Sequence, residues 1–431
     1  MNFLKKQSPV RIISLGFALV ILIGSVLLSL PCSIRDGVTL RYIDALYMST
    51  SAVCVTGLLT VDAGDTFTPL GQFFLGMLIQ VGGLGVTAVG TGVILAMGKK
   101  INLKARNLIR EAGNLDSGKG VIRFIRLVFL TTVTFELAGA ALSFLVFRKS
   151  FPPLKAAGVS LFHSVASFNN SGFDILGGGQ NLIPYQDDVL LNLVTCALVI
   201  FGGIGFLVIR EVIAKRFRWK KLSMHTKVVL FMSLVLTAAG TVLLKLTEDI
   251  TWMGAFFTSV SARTAGFSTF SLGSFSSAGL LTVIVLMVIG ASPGSTGGGI
   301  KTTTCYVLVE GIRSSATNTS EKAFRYAVPA DAFRKAAVIT LLAIGIVLSG
   351  TYILVILEPG VPFLDALFEM SSAFGTAGLS TGISAGLCDA AKILTILIMF
   401  IGRLGPLTIA SLWYFTKGER VSYPEGNIAI G

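Results

Sequence analysis

Charge is scarce in this chain. Only 13% of its 431 residues are Asp, Glu, Lys or Arg, against 53% hydrophobic ones, and the mean hydropathy is +0.80. That is too apolar for a soluble enzyme of this length, so a multi-span membrane protein is expected. Histidine is almost missing: His163 and His225 lie far apart, without metal-ligand spacing. The five cysteines (Cys32, Cys54, Cys196, Cys305, Cys388) are odd in number and form no Cys-x-x-Cys pair, which indicates neither a disulfide framework nor a zinc site. A cleavable leader is not expected either, because the first apolar run, 12–30, is long enough to span and ends in Leu30-Pro31. The scattered acids and histidines supply no catalytic constellation, so the chain is read as a non-enzyme.

What the sequence does have is a stretch that recurs. Ser51-Ala52-Val53-Cys54-Val55-Thr56-Gly57-Leu58 returns in altered form around Gly172, Gly266 and Gly378, each time a glycine before Leu or Phe with small or hydroxyl residues upstream. Glycine accepts positive φ without steric cost, so such a turn can aim successive carbonyls at one axis, as a cation filter requires. Four copies in one chain could complete a ring.

Around each copy the hydrophobic pattern gives a long outer helix, a short half-helix that does not span, the turn, and a second long apolar run. The expected fold is therefore an all-α integral membrane protein of four outer-helix/pore-helix/inner-helix repeats in pseudo-fourfold arrangement, with eight transmembrane helices and four re-entrant pore helices. The repeats are 1–100 (Gly57), 101–220 (Gly172), 221–325 (Gly266) and 326–431 (Gly378). Their spacing supports the division. From 57 to 82, 172 to 202, 266 to 290 and 378 to 402, the turn glycine and the first glycine of the inner-helix motif are 25, 30, 24 and 24 residues apart. Asp44 and Asp365 both stand 13 residues before their turn glycine, and Asp44 is expected to cap its half-helix.

The formal charge of +13 is unevenly distributed. Lys99, Lys100, Lys104, Arg106, Arg110, Lys119 and Arg123 follow the first inner run, Arg210 to Lys227 follow the second, and 358–390 holds no Lys or Arg. By the positive-inside bias the links between repeats and both termini are cytoplasmic, and the turns open outward. The basic balance is thus topology; it needs no nucleic acid and is compatible with anionic lipid.

The repeat breaks twice. The third inner run is interrupted by Gly290-Ala291-Ser292-Pro293-Gly294-Ser295-Thr296-Gly297-Gly298-Gly299-Ile300-Lys301, too rich in Gly, Ser and Pro to hold a helix. Irregular backbone at membrane depth needs protein or a wet cavity to satisfy it, and the segment is read as a gate, with a merely structural loop as the plainer alternative. A phosphate-binding loop is rejected because Ile300 separates Gly299 from Lys301. In Gly402-Arg403-Leu404-Gly405, arginine replaces the second glycine of Gly82-Gly83-Leu84-Gly85 and Gly202-Gly203-Ile204-Gly205. A guanidinium there should face the cavity and the loop's carbonyls, as a barrier that meters cations or as an anchor for the loop. Arg263 either braces its turn or reaches the outer surface. For Glu136 and Glu369 no partner is evident. A coupled transporter would also use broken helices, but its internal symmetry is typically twofold.

With these residues together the chain resembles the Trk/Ktr/HKT superfamily. The resemblance covers essentially the whole chain and is strongest to the membrane subunit of bacterial Ktr potassium uptake systems, since no further helices precede the first unit. It implies potassium uptake across the bacterial plasma membrane through a filter of backbone carbonyls from Val55-Thr56-Gly57, Asn170-Ser171-Gly172, Thr264-Ala265-Gly266 and Thr376-Ala377-Gly378, with K+ as the transported ion. Relatives with serine at the first filter position tend toward sodium, so Gly57 implies potassium. It further implies a homodimer on a cytoplasmic ring of KtrA/TrkA-like nucleotide-binding regulatory subunits, sodium as activator, and a nucleotide only on that partner, with no cofactor in this chain. A sodium-conducting relative or a coupled secondary transporter is the alternative. The second filter, with Asn169 and Asn170, departs most from the others and puts the symmetry of coordination in question.

Overall fold

The computed structural model describes residues 9–96 and 120–411. The basic residues expected between Lys99 and Lys119, Lys5 and Lys6, and both chain ends lie outside the described residues. The described chain is helical apart from loops and one small hairpin, Lys322–Ala323 with Tyr326–Ala327.

Sixteen of its helices fall into four sets of four. The first set is α1 (Pro9–Leu28), α2 (Tyr42–Cys54), α3 (Pro69–Leu84) and α4 (Val86–Ala96). The second is α5 (Val121–Phe147), α6 (Pro153–Phe168), α7 (Val189–Ile204) and α8 (Phe206–Ala214). The third is α9 (Met224–Thr247), α10 (Trp252–Ala262), α11 (Ser277–Val288) and α12 (Thr302–Thr317). The fourth is α13 (Ala332–Leu357), α14 (Phe363–Gly375), α15 (Asp389–Leu404) and α16 (Pro406–Ser411).

The starts are written locally. Thr68, Asp188, Thr251 and Ser276 precede α3, α7, α10 and α11, and each accepts a hydrogen bond from the backbone N–H three residues on, at 3.2, 2.9, 3.1 and 3.1 Å. Asp44 does not cap α2, as the sequence had suggested. It lies in the first helical turn and accepts from Lys392 Nζ of α15 at 2.6 Å and from Arg41 at 3.1 Å, so it joins the first set to the last.

The inner runs also correct the expectation. Three of them, read from the sequence as continuous, each break at one glycine: Gly85, Gly205 and Gly405, with φ of +85°, +92° and +89°. Side chains are excluded from that backbone region, so glycine is what permits the break. The helix bends by 101° at Gly85 and 96° at Gly205. In the third set the helix stops at Val288 and resumes at Thr302, as the Gly/Ser/Pro content predicts.

Burial follows this plan. The short helices α2, α6, α10 and α14 are enclosed, with Tyr47, Phe168, Phe257 and Phe368 among the largest fully buried side chains. Around them stand α1, α5, α9 and α13, buried over only 28–39% of their apolar stretches. Their exposed side chains include Leu19, Leu130, Leu234 and Leu341, 58–70% exposed, which a hydrocarbon solvent favours and water does not. Among the described residues these four helices are long and apolar enough to cross a bilayer, and α3 with α4 and α7 with α8 would each do so as a bent pair.

Candidate functional site

The C-terminal ends of the four short helices converge. Beyond each helix the chain repeats one backbone signature: a non-glycine residue with positive φ, one residue, then a glycine with positive φ. The first positions are Val55 (+56°), Asn170 (+57°), Thr264 (+86°) and Thr376 (+49°); the glycines are Gly57, Gly172, Gly266 and Gly378 at +68° to +97°. Left-handed backbone on a side-chain-bearing residue costs about 1–2 kcal/mol. The surrounding packing holds it, and every one of these residues is fully buried.

The four glycines close on one another in chain order. A Cβ placed on Gly57 would strike the carbonyl oxygen of Ser171; on Gly172, that of Ala265; on Gly266, that of Ala377; and on Gly378, that of Thr56. Each turn thus presents the carbonyl before its glycine to the preceding turn, and the cycle returns to its start. Val55, Asn170, Thr264 and Thr376 stand one position before the eight of the twelve expected ion-facing residues that meet in this cycle. The C-terminal ends of four helix dipoles, the ends that favour cations, surround it.

The turns are not identical. Thr56, Ser171 and Ala377 each donate a backbone N–H to a carbonyl five residues back, at 2.7, 2.9 and 2.9 Å. In the third turn Ala265 donates four residues back, to Ser261 at 2.8 Å, so it is wound more tightly. The asparagines of the second turn are engaged by the scaffold. Asn169 Nδ2 donates to Gln80 of α3 at 2.9 Å and to Glu136 of α5 at 3.0 Å. The Asn170 amide is satisfied when its nitrogen donates to the Ser167 and Val199 carbonyls at 3.2 Å and its oxygen accepts from Thr264 at 3.0 Å.

Next to the ring lies the segment 290–301. Gly298 N–H donates to Thr376 Oγ1 at 3.0 Å, and Gly297 packs against Thr264. Ser292 and Thr296 donate their N–H groups to the Gly203 and Gly202 carbonyls (3.0 and 3.2 Å), Phe206 N–H donates to the Gly294 carbonyl (3.1 Å), and the Pro293 carbonyl lies against Gly205. Within the segment Ser295 donates to the Ser292 carbonyl, Gly290 abuts Gly298 and Gly299, and Lys301 Nζ donates to the Gly297 carbonyl at 2.8 Å. Arg403 donates to the carbonyls of Thr296, Gly82 and Gly83. It therefore joins the segment to the break of the first inner helix, one carbonyl on the loop and two off it. A cavity of about 320 Å³ adjoins, lined by Gly83, Gly85, Gly294, Gly297, Lys301 and Arg403 among others.

Sequence reasoning did not foresee the groups behind the ring. Glu136 is tied to Asn169 and Gln80, and Glu369 of α14 accepts from Ser380 and Ser384 in the loop after Gly378. Arg263 neither reaches the surface nor contacts a turn carbonyl; it donates to Ser233 and Thr237 of α9. The only signal for these partners would have been a buried acid or base on an apolar helix face, which names no partner. Outside the helices, burial pushes the Asp174 carboxyl up to about 7, and nearby Asp62 and Asp65 add to it.

The fold and the geometry have known counterparts. The profile of the TrkH family, described as cation transport protein, matches residues 13–416. The chain is 37% identical to the Ktr system potassium uptake protein B of Bacillus subtilis (strain 168), over 98% of this chain and 97% of that protein. It is 35% identical to the potassium/sodium uptake protein NtpJ of Enterococcus hirae, over 99% and 98%. Among solved structures, the potassium transporter TrkH from Vibrio parahaemolyticus superposes with a TM-score of 0.75 at 19% identity, covering 95% of this chain and 86% of that one. The chain belongs to the TrkH family of cation transport proteins and is a multi-pass, helical membrane protein.

Proposed function

We propose that this protein is the ion-conducting membrane subunit of a Trk/Ktr-type potassium uptake system. The observation that carries the reading is the closed cycle of the four glycine turns, in which each pre-glycine carbonyl meets the next turn. A dehydrated alkali cation needs such a ring of oxygens, and no side-chain charge is required. The ion-facing residues are Val55-Thr56-Gly57, Asn170-Ser171-Gly172, Thr264-Ala265-Gly266 and Thr376-Ala377-Gly378. The segment 290–301 and Arg403 form the constriction: hydrogen bonds to α7, α14 and α15 support a plug that must release them to open.

On this reading the four helix sets are the repeats, α11 with α12 and α15 with α16 complete eight crossings, and the basic links face the cytoplasm of a bacterial cell. A homodimer and a cytoplasmic nucleotide-binding partner complete the system; the relatives named as proteins of Ktr systems support a multi-component assembly.

Rubidium uptake into liposomes carrying the full chain, with potassium or sodium as competitor, tests the reading. Flux that potassium competes and sodium competes weakly is expected. No flux above empty liposomes, with and without the regulatory partner, rejects it. Gly57→Ser should weaken the preference for potassium, and unchanged competition would remove the filter's main support. The Enterococcus relative named for both ions makes sodium conduction the second reading, and the same competition separates the two.

A further inference from the structure

A second cavity, of about 630 Å³, lies at the seam between the second and third helix sets. Its size is that of an ordinary small-molecule site, about 300–1,000 Å³. The walls are almost wholly apolar, supplied by α5, α7, α8, α9 and α10. Its rim holds Ile213, Phe217 and Leu234, each 65–71% exposed, residues that belong in hydrocarbon.

The two charged groups lining it are both cationic: Arg216 and Arg263. Arg216 follows α8, where Arg216 and Phe217 in succession take left-handed backbone, φ +47° and +58°, and put both residues at the cavity. Its neighbour Lys215 is paired with Glu211, but the Arg216 side chain has no hydrogen bond or ion pair among the described residues. Arg263 is 8% exposed, faces no carboxylate, and its Nε is left without a partner. An unpaired guanidinium next to an apolar chamber is complementary to an anion that carries a hydrocarbon chain.

We infer that this cavity is a binding site for an anionic phospholipid, its phosphate held by Arg216 and one acyl chain filling the chamber toward Val260 and Arg263. The site bears on the conducting machinery from two sides. Gly203 lines it, and the Gly203 carbonyl accepts from Ser292 of the segment 290–301. Arg263 lines it and immediately precedes Thr264 of the third turn. A chain in the chamber stiffens both the wall on which that segment hangs and the tie between Arg263 and α9 just ahead of the third turn. The inference rests on the chain being a membrane protein, not on its filter, and lipid retention is read without any transport.

The experiment is native mass spectrometry of the full-length protein after exchange into phosphatidylglycerol or phosphatidylcholine. The wild type is expected to retain phosphatidylglycerol selectively. Arg216→Gln should lower that retention about fivefold, the usual effect of one basic residue near an anionic surface. Leu234→Trp, which fills the chamber without removing a charge, should lower it as well. Lys220→Gln, outside the cavity, should retain as the wild type does. Equal retention of both lipids, or an Arg216→Gln variant indistinguishable from the Lys220→Gln variant, overturns the site. A photo-reactive amino acid in place of Leu234 that couples to a second copy of the chain instead of to lipid overturns it too.

Discussion

The third quarter of the molecule and the other three solve the same problem differently. Each must turn an inner helix where it meets the end of a short helix. At Gly85, Gly205 and Gly405 one residue in a glycine-only conformation does this, and helix resumes at once. In the third quarter the chain leaves helix from 289 to 301, and its backbone groups are met by α7, α14 and Arg403 instead of by their own helix. The third turn is also wound differently and is backed by a guanidinium, where the second and fourth are backed by carboxyls. One sharp bend gives a rigid frame. A long segment held by separable hydrogen bonds, each worth about 0.5–1.5 kcal/mol, is the part proposed to move within it.

Breaking the frame should have the largest effect. Asp44→Ala strands Lys392 in the seam between the first and last quarters, and loss of one partner of a buried pair costs about 3–5 kcal/mol. Thermal unfolding in detergent should fall sharply, and Asp44→Leu with Lys392→Met should recover much of it. Freeing the segment 290–301 comes next: Arg403→Ala, or a deletion within 294–298, should raise rubidium flux about tenfold, the equivalent of about one hydrogen bond. Unchanged flux in folded protein would make the segment a structural loop. Glu136→Ala should cost about 1–3 kcal/mol by leaving the Asn169 and Gln80 amides short of a partner, and should lower potassium preference more than the same change at an exposed acid.

The smallest effect concerns the loops after the four glycines, where the second quarter alone has an acid two residues on; Leu59, Ser268 and Ser380 are the counterparts of Asp174. Its carboxyl lies near 3.8 when exposed and near 7 when folded, so the folded chain holds a proton the unfolded chain releases. Its contribution to stability is full below about pH 4 and is lost as pH rises through about 7. Asp174→Asn should flatten that dependence and raise the melting temperature at pH 8 by a few degrees.

Much of this was legible because it repeats. Four turns at matching spacings, each with a glycine before Leu or Phe, pointed to the four glycines that meet in the structure, and Gly/Ser/Pro content gave the limits of the third break. The breaks at Gly85, Gly205 and Gly405 were missed because Leu, Ile, Val and Phe around them keep the hydropathy running on uninterrupted; the glycine pairs before the first two and Pro406 were the local warnings. The partner of Asp44 lies 348 residues away, and no periodicity connects them. Likewise, the acid on α5 that holds Asn169 reads in sequence as an isolated Glu in an apolar helix.

That distant partner has a consequence for biogenesis. Asp44 leaves the ribosome long before Lys392, so throughout synthesis the nascent first quarter carries a carboxylate whose ammonium has not been made. Insertion of the early helices must proceed with that acid solvated or protonated. The polypeptide commits to its closed shape only when its final quarter arrives, and a fragment truncated before α15 should be a substrate for membrane quality control.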